Sequence, residues 1–398
     1  MTYNFDEIID RRGTYCFKWS ETAIQEMYGS EIHWDDNTIP MMTADMDLAC
    51  PPKLVEAMHR VADHRIFGYT TIHAEPRYKQ CIVDWYKRRY HTELKPEWIN
   101  YSDGSVTSID CLVEAMTNVG DGVIIMPPVY GHFNSMIEEE MHGRKVVPVY
   151  LMEEEDGYTI DWEQFEKQCA VPTNRAFLLC SPCNPIGKVW TAEELRRMVD
   201  ICQRNDVLLI SDEIHSDLVR KGVVHHPILS VTDNYKGIAM VIGINKSFNV
   251  AGLHVSNIVI PDSNLRGIFA KEYGMRLPTP FAIAAQIAAY DECEDWLDAL
   301  NEYLDENIDF AVAYLAEHMP RLKVRRPEGT YILWLDFRGY GLSEEEVYDR
   351  IYNKANVILN GGADFDAKNG QLFQRMCLTL PRARIQIALE RIAKEFEE

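Results

Sequence analysis

The feature that most constrains the fold is a series of short, uninterrupted apolar runs in the middle of the chain. A strand that is buried on both faces needs such a run, whereas a strand with one face in water alternates apolar and polar residues. The runs are GVIIM (122–126), KVVPV (145–149), RAFLLC (175–180), VLLIS (207–211), IAMVIG (238–243) and VSNIVI (255–260). They predict an α/β fold with a mostly parallel central sheet flanked by helices.

Helical patterns lie between and after these runs. In TAEELRRMVDICQRN, Thr191 and Glu194 are spaced as a capping box that opens a helix. From about residue 282 one long helical pattern is followed by the strand-like TYILWLDF and NVILN and by a final helix from Pro381. We therefore expect a smaller α+β domain here. The predicted units are a segment 1–45 that packs with the small domain, a large domain 46–285 and a small domain 286–398.

The charge balance limits the class of partner. The 398 residues include 40 Lys plus Arg against 62 Asp plus Glu, a formal net charge of −22. Such a surface repels nucleic-acid phosphates and anionic lipid, so we expect neither a nucleic-acid nor a membrane partner. We see no secretory signal and no apolar run of the roughly 20 residues that span a bilayer. The 10 cysteines have no regular spacing, which favours reduced thiols in a cytoplasmic protein.

Four polar or aromatic residues follow the predicted strands. Asp212 comes directly after VLLIS, Asn184 after RAFLLC, Tyr130 after GVIIM and Lys246 after IAMVIG. Each alone has an ordinary structural explanation: a helix N-cap, a turn, a core aromatic and a snorkelling lysine. Because ligands bind beyond the carboxyl ends of parallel strands, their convergence on one sheet edge indicates a binding site.

Two other site types were weighed at the same strand ends. Cys180 and Cys183 form a C-x-x-C, but it precedes a Pro-containing turn and has no second C-x-x-C to complete a zinc site. The acidic and histidine residues of SDEIHSD (211–217) have no recognised metal-ligand spacing. We therefore expect neither a redox pair nor a metal.

Lys246 indicates which chemistry the site supports. In hydrophobic surroundings the charged form of Lys246 is disfavoured, so its amine is nucleophilic nearer neutral pH and forms a Schiff base with an aldehyde. A nearby carboxylate keeps a pyridine nitrogen protonated, and an aromatic ring covers the pyridine face. These are the requirements of pyridoxal 5′-phosphate (PLP) as an electron sink.

Several motifs resemble fold-type-I PLP enzymes of the aminotransferase class I/II superfamily, and within it the cystathionine β-lyase/C–S lyase branch that includes cystalysin. They are ADMDLACPP, FGYT, SPCNPIGKVWT, SDEIHSDL, NKSFNVAGLHVSNIVIP, EGTYILWLDFR and QRMCLTLPR, which span nearly the whole chain. The resemblance implies PLP as cofactor, an amino acid as substrate and a homodimer with shared active sites.

The resemblance also implies roles for individual residues. Lys246 would bind the cofactor covalently and act as base, Asp212 would pair with the pyridinium nitrogen, and Asn184 would donate to the ring hydroxyl. Tyr130 would stack on the ring, with His215 nearby. The phosphate would lie against Ser105 and Val106 at a helix start, with Tyr69 reaching it from the neighbouring subunit. Arg375, with Tyr130 and Asn184, would bind the substrate and take its α-carboxylate.

The chain departs from the relatives at a few positions. Gly243 stands where many have a serine three residues before the lysine, and Asn245 stands where a serine or threonine often precedes it. Gly131 replaces the second tyrosine of cystalysin, from which we expect a more open substrate pocket. Cys377 stands where an asparagine often follows the arginine by two residues.

The resemblance favours a C–S lyase that eliminates the thiol from cystathionine, cysteine or related S-substituted cysteines and yields pyruvate and ammonia. An aminotransferase needs the same residues and differs in where one proton goes. A third alternative is a PLP-fold protein with a regulatory binding role. The fold alone does not decide among them.

Overall fold

The computed structural model describes residues 3–30, 32–137, 143–274 and 276–397. The helices are α1 (Glu21–Tyr28), α2 (Pro52–His64), α3 (Pro76–Tyr90), α4 (Ser105–Met116), α5 (His132–Ser135), α6 (Trp162–Cys169), α7 (Ala192–Arg204), α8 (Ser263–Tyr273), α9 (Pro280–Glu292), α10 (Glu294–His318), α11 (Glu344–Tyr348) and α12 (Arg382–Glu395).

The strands are β1 (Ile39–Pro40), β2 (Ile99–Ser102), β3 (Gly122–Ile125), β4 (Lys145–Pro148), β5 (Met152–Glu154), β6 (Gly157–Thr159), β7 (Asn174–Cys180), β8 (Leu208–Asp212), β9 (Ile238–Ile242), β10 (Ser256–Val259), β11 (Lys323–Val324), β12 (Ile332–Asp336), β13 (Val357–Ile358), β14 (Asn360–Gly361) and β15 (Phe373–Cys377).

A seven-stranded sheet with the order β2-β10-β9-β8-β7-β3-β4 forms the centre of the molecule. Neighbours from β9 to β4 run parallel, while β10 runs antiparallel to both β9 and β2. All the predicted runs are strands of this sheet, so the predicted α/β fold with a mostly parallel sheet is confirmed. β2 was not predicted, because its sequence INYS has no continuous apolar run.

Local sequence explains how the helices reach the sheet. The capping box of α7 forms as predicted: the Thr191 hydroxyl accepts from the N–H of Glu194 at 3.1 Å, and the Glu194 carboxylate accepts from the N–H of Thr191 at 2.8 Å. α7 then packs on β8, α6 on β7, and α4 on β8, β9 and β10. These contacts bury the apolar strands and leave their carboxyl ends for polar residues.

A second core lies around the four-stranded antiparallel sheet β11-β12-β15-β14. The N-terminal segment joins this core through Ile24 and Ile39, and β1 pairs in parallel with β13. The first half of α10 belongs to the large core and its second half to the small one. The boundaries at residues 45 and 285 stay predictions.

One expectation for the C-terminal half was wrong. The predicted long helix is two helices, α9 and α10, which break at Cys293. NVILN also divides into β13 and β14. Within the described ranges, no helix is both long and apolar enough to cross a membrane.

Candidate active site

The residues predicted from the strand ends meet at one edge of the central sheet. Asp212 is the last residue of β8, and Lys246 lies in the turn four residues after β9. Asn184 follows β7, and Tyr130 follows β3. Because these parallel strands are neighbours, their carboxyl ends place the side chains side by side.

Among the residues that the structure describes, Lys246 has one hydrogen-bond acceptor. Its half-buried side chain donates from Nζ to the carbonyl oxygen of Ala44 at 2.9 Å, and the buried hydroxyl of Tyr331 donates to the same oxygen at 2.9 Å. Burial lowers the pKa of Lys246, and the nearby Asp45 opposes this effect. The result is an amine that loses its proton more readily than a surface lysine.

Asp212 is a buried carboxyl that forms no ion pair with any lysine or arginine in the described part of the chain. Its Oδ1 accepts from the N–H of Ile214 at 3.2 Å. Burial raises the pKa of Asp212 to about 7, although that hydrogen bond and the charge of Lys246 lower it. A cationic ring nitrogen placed beside this carboxyl would relieve the cost of burying its charge.

His215 is buried and has an unused ring nitrogen. Its ring packs edge-on against Tyr331, with centroids 5.9 Å apart, and Nδ1 has no hydrogen-bond partner in the described part of the chain. Burial and the charges of Lys246 and Arg375 lower the pKa of His215 to about 3. The imidazole is therefore neutral at physiological pH.

Arg375 on β15 is held at the same edge from the small-domain side. Its guanidinium donates to Asn184 Oδ1 at 3.2 Å, to Asn360 Oδ1 at 2.5 Å and to the carbonyl oxygen of Met42. It stacks over Phe365 at 4.8 Å. Its buried Nε has no partner among the described residues, so one N–H remains for a carboxylate.

Asn184 and Tyr130 complete this side of the site. Because Asn184 Oδ1 accepts from Arg375, its amide N–H groups face away from the arginine and can donate to another group. Tyr130 is half-buried, and burial raises the pKa of its hydroxyl to about 12. The Tyr130 hydroxyl is therefore protonated.

Ser105 and Val106 begin α4, as predicted. Gly104 precedes them with φ 136°, and no side chain caps the helix. The first N–H groups of this 12-residue helix are thus available to an anion. The loop after Lys246 packs here, because His254 Nδ1 lies 3.2 Å from the carbonyl oxygen of Asp103.

The structure explains the departures beside the lysine. A Cβ at Gly243 would lie 2.8 Å from the carbonyl oxygen of Val255 and 3.0 Å from Ile214 Cδ1, so this backbone leaves no room for a serine. Asn245 uses its Oδ1 to accept from the N–H of Val255 at 3.3 Å. Neither departure leaves a gap in the loop.

One sequence expectation comes out differently, and one predicted residue lies outside the site of its own chain. The space beside Gly131 is filled, because a Cβ there would lie 2.4 Å from the carbonyl oxygen of Asp364; the more open pocket expected at this position is wrong. Tyr69 is fully exposed in this chain, so it does not join the other predicted residues within one subunit. Cys180 and Cys183 are buried free thiols beneath the site.

Sequence reasoning missed several residues that build the site. The carbonyl oxygen of Ala44 accepts a hydrogen bond from the lysine amine, and Tyr331 donates to the same oxygen. Met42, Asn360 and Phe365 position Arg375. The motifs ADMD and EGTYILWLDFR contain Ala44 and Tyr331. Neither motif indicated a role for these two residues. Backbone acceptors such as the carbonyls of residues 42 and 44 leave no signature in a sequence.

One edge of the sheet therefore carries a nucleophilic lysine, a buried carboxyl, an uncapped helix start and a buried arginine. This combination defines the site of a fold-type-I PLP enzyme. The chain belongs to the aminotransferase class I and II family, whose sequence profile matches residues 35–392.

The chain is also similar to individual members of this family. It is 36% identical to cystathionine β-lyase PatB of Bacillus subtilis (strain 168), over 98% of each chain. A PLP-bound putative aminotransferase from Clostridium difficile 630 is 37% identical, with a TM-score of 0.93 over 100% of both chains. PLP-containing cystalysin from Treponema denticola is 32% identical, with a TM-score of 0.92 over 100% of this chain and 99% of that one.

Proposed function

We propose that the chain is a PLP-dependent carbon–sulfur lyase that acts on cystathionine, cysteine or related S-substituted L-cysteines. The observation that supports it best is the pairing of a lysine of lowered pKa with a buried carboxyl at the sheet edge, in a chain that matches a cystathionine β-lyase along almost its whole length. One water molecule is consumed, and the products are a thiol, pyruvate and ammonia.

The polar groups of the site fit the cofactor. Lys246 would bind its aldehyde carbon, and Asp212 would hold its ring nitrogen protonated. Asn184 would donate to its ring hydroxyl, Tyr130 would cover its ring, and His215 has the unused Nδ1. The N–H groups of Ser105 and Val106 would bind its phosphate, which a chain of net charge −22 must hold locally.

When bound, PLP supplies an electron sink conjugated to the Cα of the substrate. Lys246 Nζ, as a neutral amine, would take the proton from Cα. The Cβ–S bond then breaks, and the sulfur leaves with the bonding electron pair as a thiolate. Arg375 binds the α-carboxylate through its free N–H, and its contacts with Asn184 and Asn360 fix the guanidinium in place.

An absorbance scan with added PLP, followed by pyruvate and thiol detection with L-cystathionine or L-cysteine, tests the proposal. We expect a visible cofactor band that is lost in Lys246→Ala, and release of both products by the unaltered chain. Transfer of the amino group to a keto acid without pyruvate would instead identify an aminotransferase. No band at all would support a binding role without catalysis.

The proposed assembly is a homodimer in which each site uses Tyr69 from the neighbouring subunit. Ile66 is 68% exposed, Phe67 58% and Tyr69 100% in the loop between α2 and α3. A groove of about 410 Å³ lies beside this loop, lined by α2 and α9. An exposed apolar patch of this kind is typical of a subunit interface.

Mixing two inactive variants tests the shared site. In a dimer of Lys246→Ala with Tyr69→Ala, one site would contain both substitutions and the other neither, so activity should reappear after co-refolding. If each site used its own Tyr69, both sites would stay defective. Light scattering of the unaltered chain would report the mass of the assembly.

We also propose a cytoplasmic location. All ten cysteines are free thiols, and eight of them are buried. A reducing compartment keeps such thiols in this state.

A further inference from the structure

The turn at residues 362–364 closes over the chain beside Tyr130. The N–H of Val129 donates to the carbonyl oxygen of Phe365 at 3.0 Å, which holds the turn in place. The carbonyl oxygen of Asp364 then approaches Gly131 so closely that a Cβ there would lie 2.4 Å away. The turn therefore takes the space that a side chain at position 131 would need.

This packing places the backbone and Cβ of Asp364, an exposed residue, beside the chain at Gly131. The Asp364 Cβ lies 3.6 Å from the position of a Cβ at Gly131, so the Asp364 side chain starts beside the residue that follows Tyr130. Burial raises the pKa of Asp364, while Arg375 and His132 lower it. In the described residues, no lysine or arginine forms an ion pair with Asp364.

Resting on the proposed lyase function, we propose that Asp364 is a specificity residue whose carboxylate binds a cationic group at the far end of the sulfur substituent. A substrate held by its α-carboxylate at Arg375, next to Tyr130, lies within the electrostatic range of Asp364. The preferred substrates are then S-substituted cysteines with an ammonium group beyond the sulfur. Substituents that end in a carboxylate are disfavoured, because two negative charges meet.

Three substrates of similar length separate charge from size: S-(2-aminoethyl)-, S-propyl- and S-(2-carboxyethyl)-L-cysteine. We expect Asp364→Asn to lower kcat/KM for the aminoethyl substrate about fivefold, the scale of an exposed ion pair. It should leave the propyl substrate unchanged and raise kcat/KM for the carboxyethyl substrate. Asp233→Asn removes the same charge from an exposed loop residue before β9 and should change none of the three.

Equilibrium binding gives a second readout. L-Lysine is S-(2-aminoethyl)-L-cysteine with a methylene group in place of the sulfur, so its binding to the holoenzyme is measured without elimination. Asp364→Asn should weaken it, while binding of L-norleucine should stay the same. An equal change in kcat/KM for all three S-substituted cysteines in Asp364→Asn would overturn the specificity role. Failure of the unaltered chain to release pyruvate from any of the three would instead overturn the lyase function itself.

Discussion

The amine of Lys246 and the hydroxyl of Tyr331 donate to one acceptor, the carbonyl oxygen of Ala44, each at 2.9 Å. The lysine, the tyrosine and the alanine come from three distant parts of the chain. The position of the lysine amine therefore depends on a segment that precedes the central sheet and on the residue that immediately precedes strand β12 of the small sheet.

Tyr331→Phe should lower the free energy of unfolding by about 1 kcal/mol, because it removes one buried hydrogen bond and leaves Lys246 to satisfy Ala44. Urea denaturation of the cofactor-free protein measures this change in the free energy of unfolding. Tyr314→Phe, on a half-exposed residue of α10, is the control. Equal effects of the two substitutions would mean that the Ala44 contact contributes nothing.

Asp212 should make the cofactor-free protein less stable as the pH rises. Its pKa is about 7 in the fold and about 3.9 when unfolded, so the native state binds the proton more tightly. Stability from this group is present below about pH 4 and is lost as the pH rises to 7.

Asp212→Asn removes that loss and should stabilise the cofactor-free protein by roughly 2–4 kcal/mol at pH 8, but little at pH 4. Denaturant unfolding at both pH values checks this. A gain of the same size at pH 4 and pH 8 would contradict the burial of a titrating carboxyl.

Arg375→Lys should reduce kcat/KM about 100-fold, mainly through KM, because one ammonium cannot replace the planar donor that binds Asn184, Asn360 and a substrate carboxylate together. Arg325→Lys, on a half-exposed arginine with contacts to Glu153 and the carbonyl oxygen of Glu154, is the control. A loss of less than about threefold would argue against carboxylate binding by Arg375.

Gly243→Ser should destabilise the fold by about 1–3 kcal/mol and should not tighten PLP binding, because its Cβ would press on Val255 and Ile214. Gly252→Ser is a matched control from the same loop, where an added Cβ meets no atom within 4 Å. Tighter PLP binding by Gly243→Ser would show that the loop can yield to admit a phosphate ligand.

The sequence was sufficient where the signal is local or repeated. Continuous apolar runs predicted the strands of the central sheet, and the rule that ligands bind at their carboxyl ends predicted that Asp212, Asn184 and Lys246 would meet. The capping box at Thr191 predicted the start of α7. These features depend on neighbouring residues and on one general property of parallel sheets.

What the sequence left open depends on contacts between distant segments. The break at Cys293 has no glycine or proline beside it, so no helix-stop residue marks it in the sequence. The packing of Asp364 against Gly131 joins positions more than 200 residues apart, and glycine alone was taken to indicate free space. Tyr69 is exposed in one chain, and a single sequence gives no geometry for a second one.

Arg375 contacts segments of the chain that are synthesised at different times. Its guanidinium joins Met42, which precedes every strand of the central sheet, to Asn184 and to Asn360. On the ribosome, the lysine turn and the central strands emerge long before this arginine. A nascent or prematurely terminated chain that ends before β15 would contain the amine that captures an aldehyde but not the group that fixes a substrate carboxylate. Only the finished chain can join the two ends of its sequence in one site.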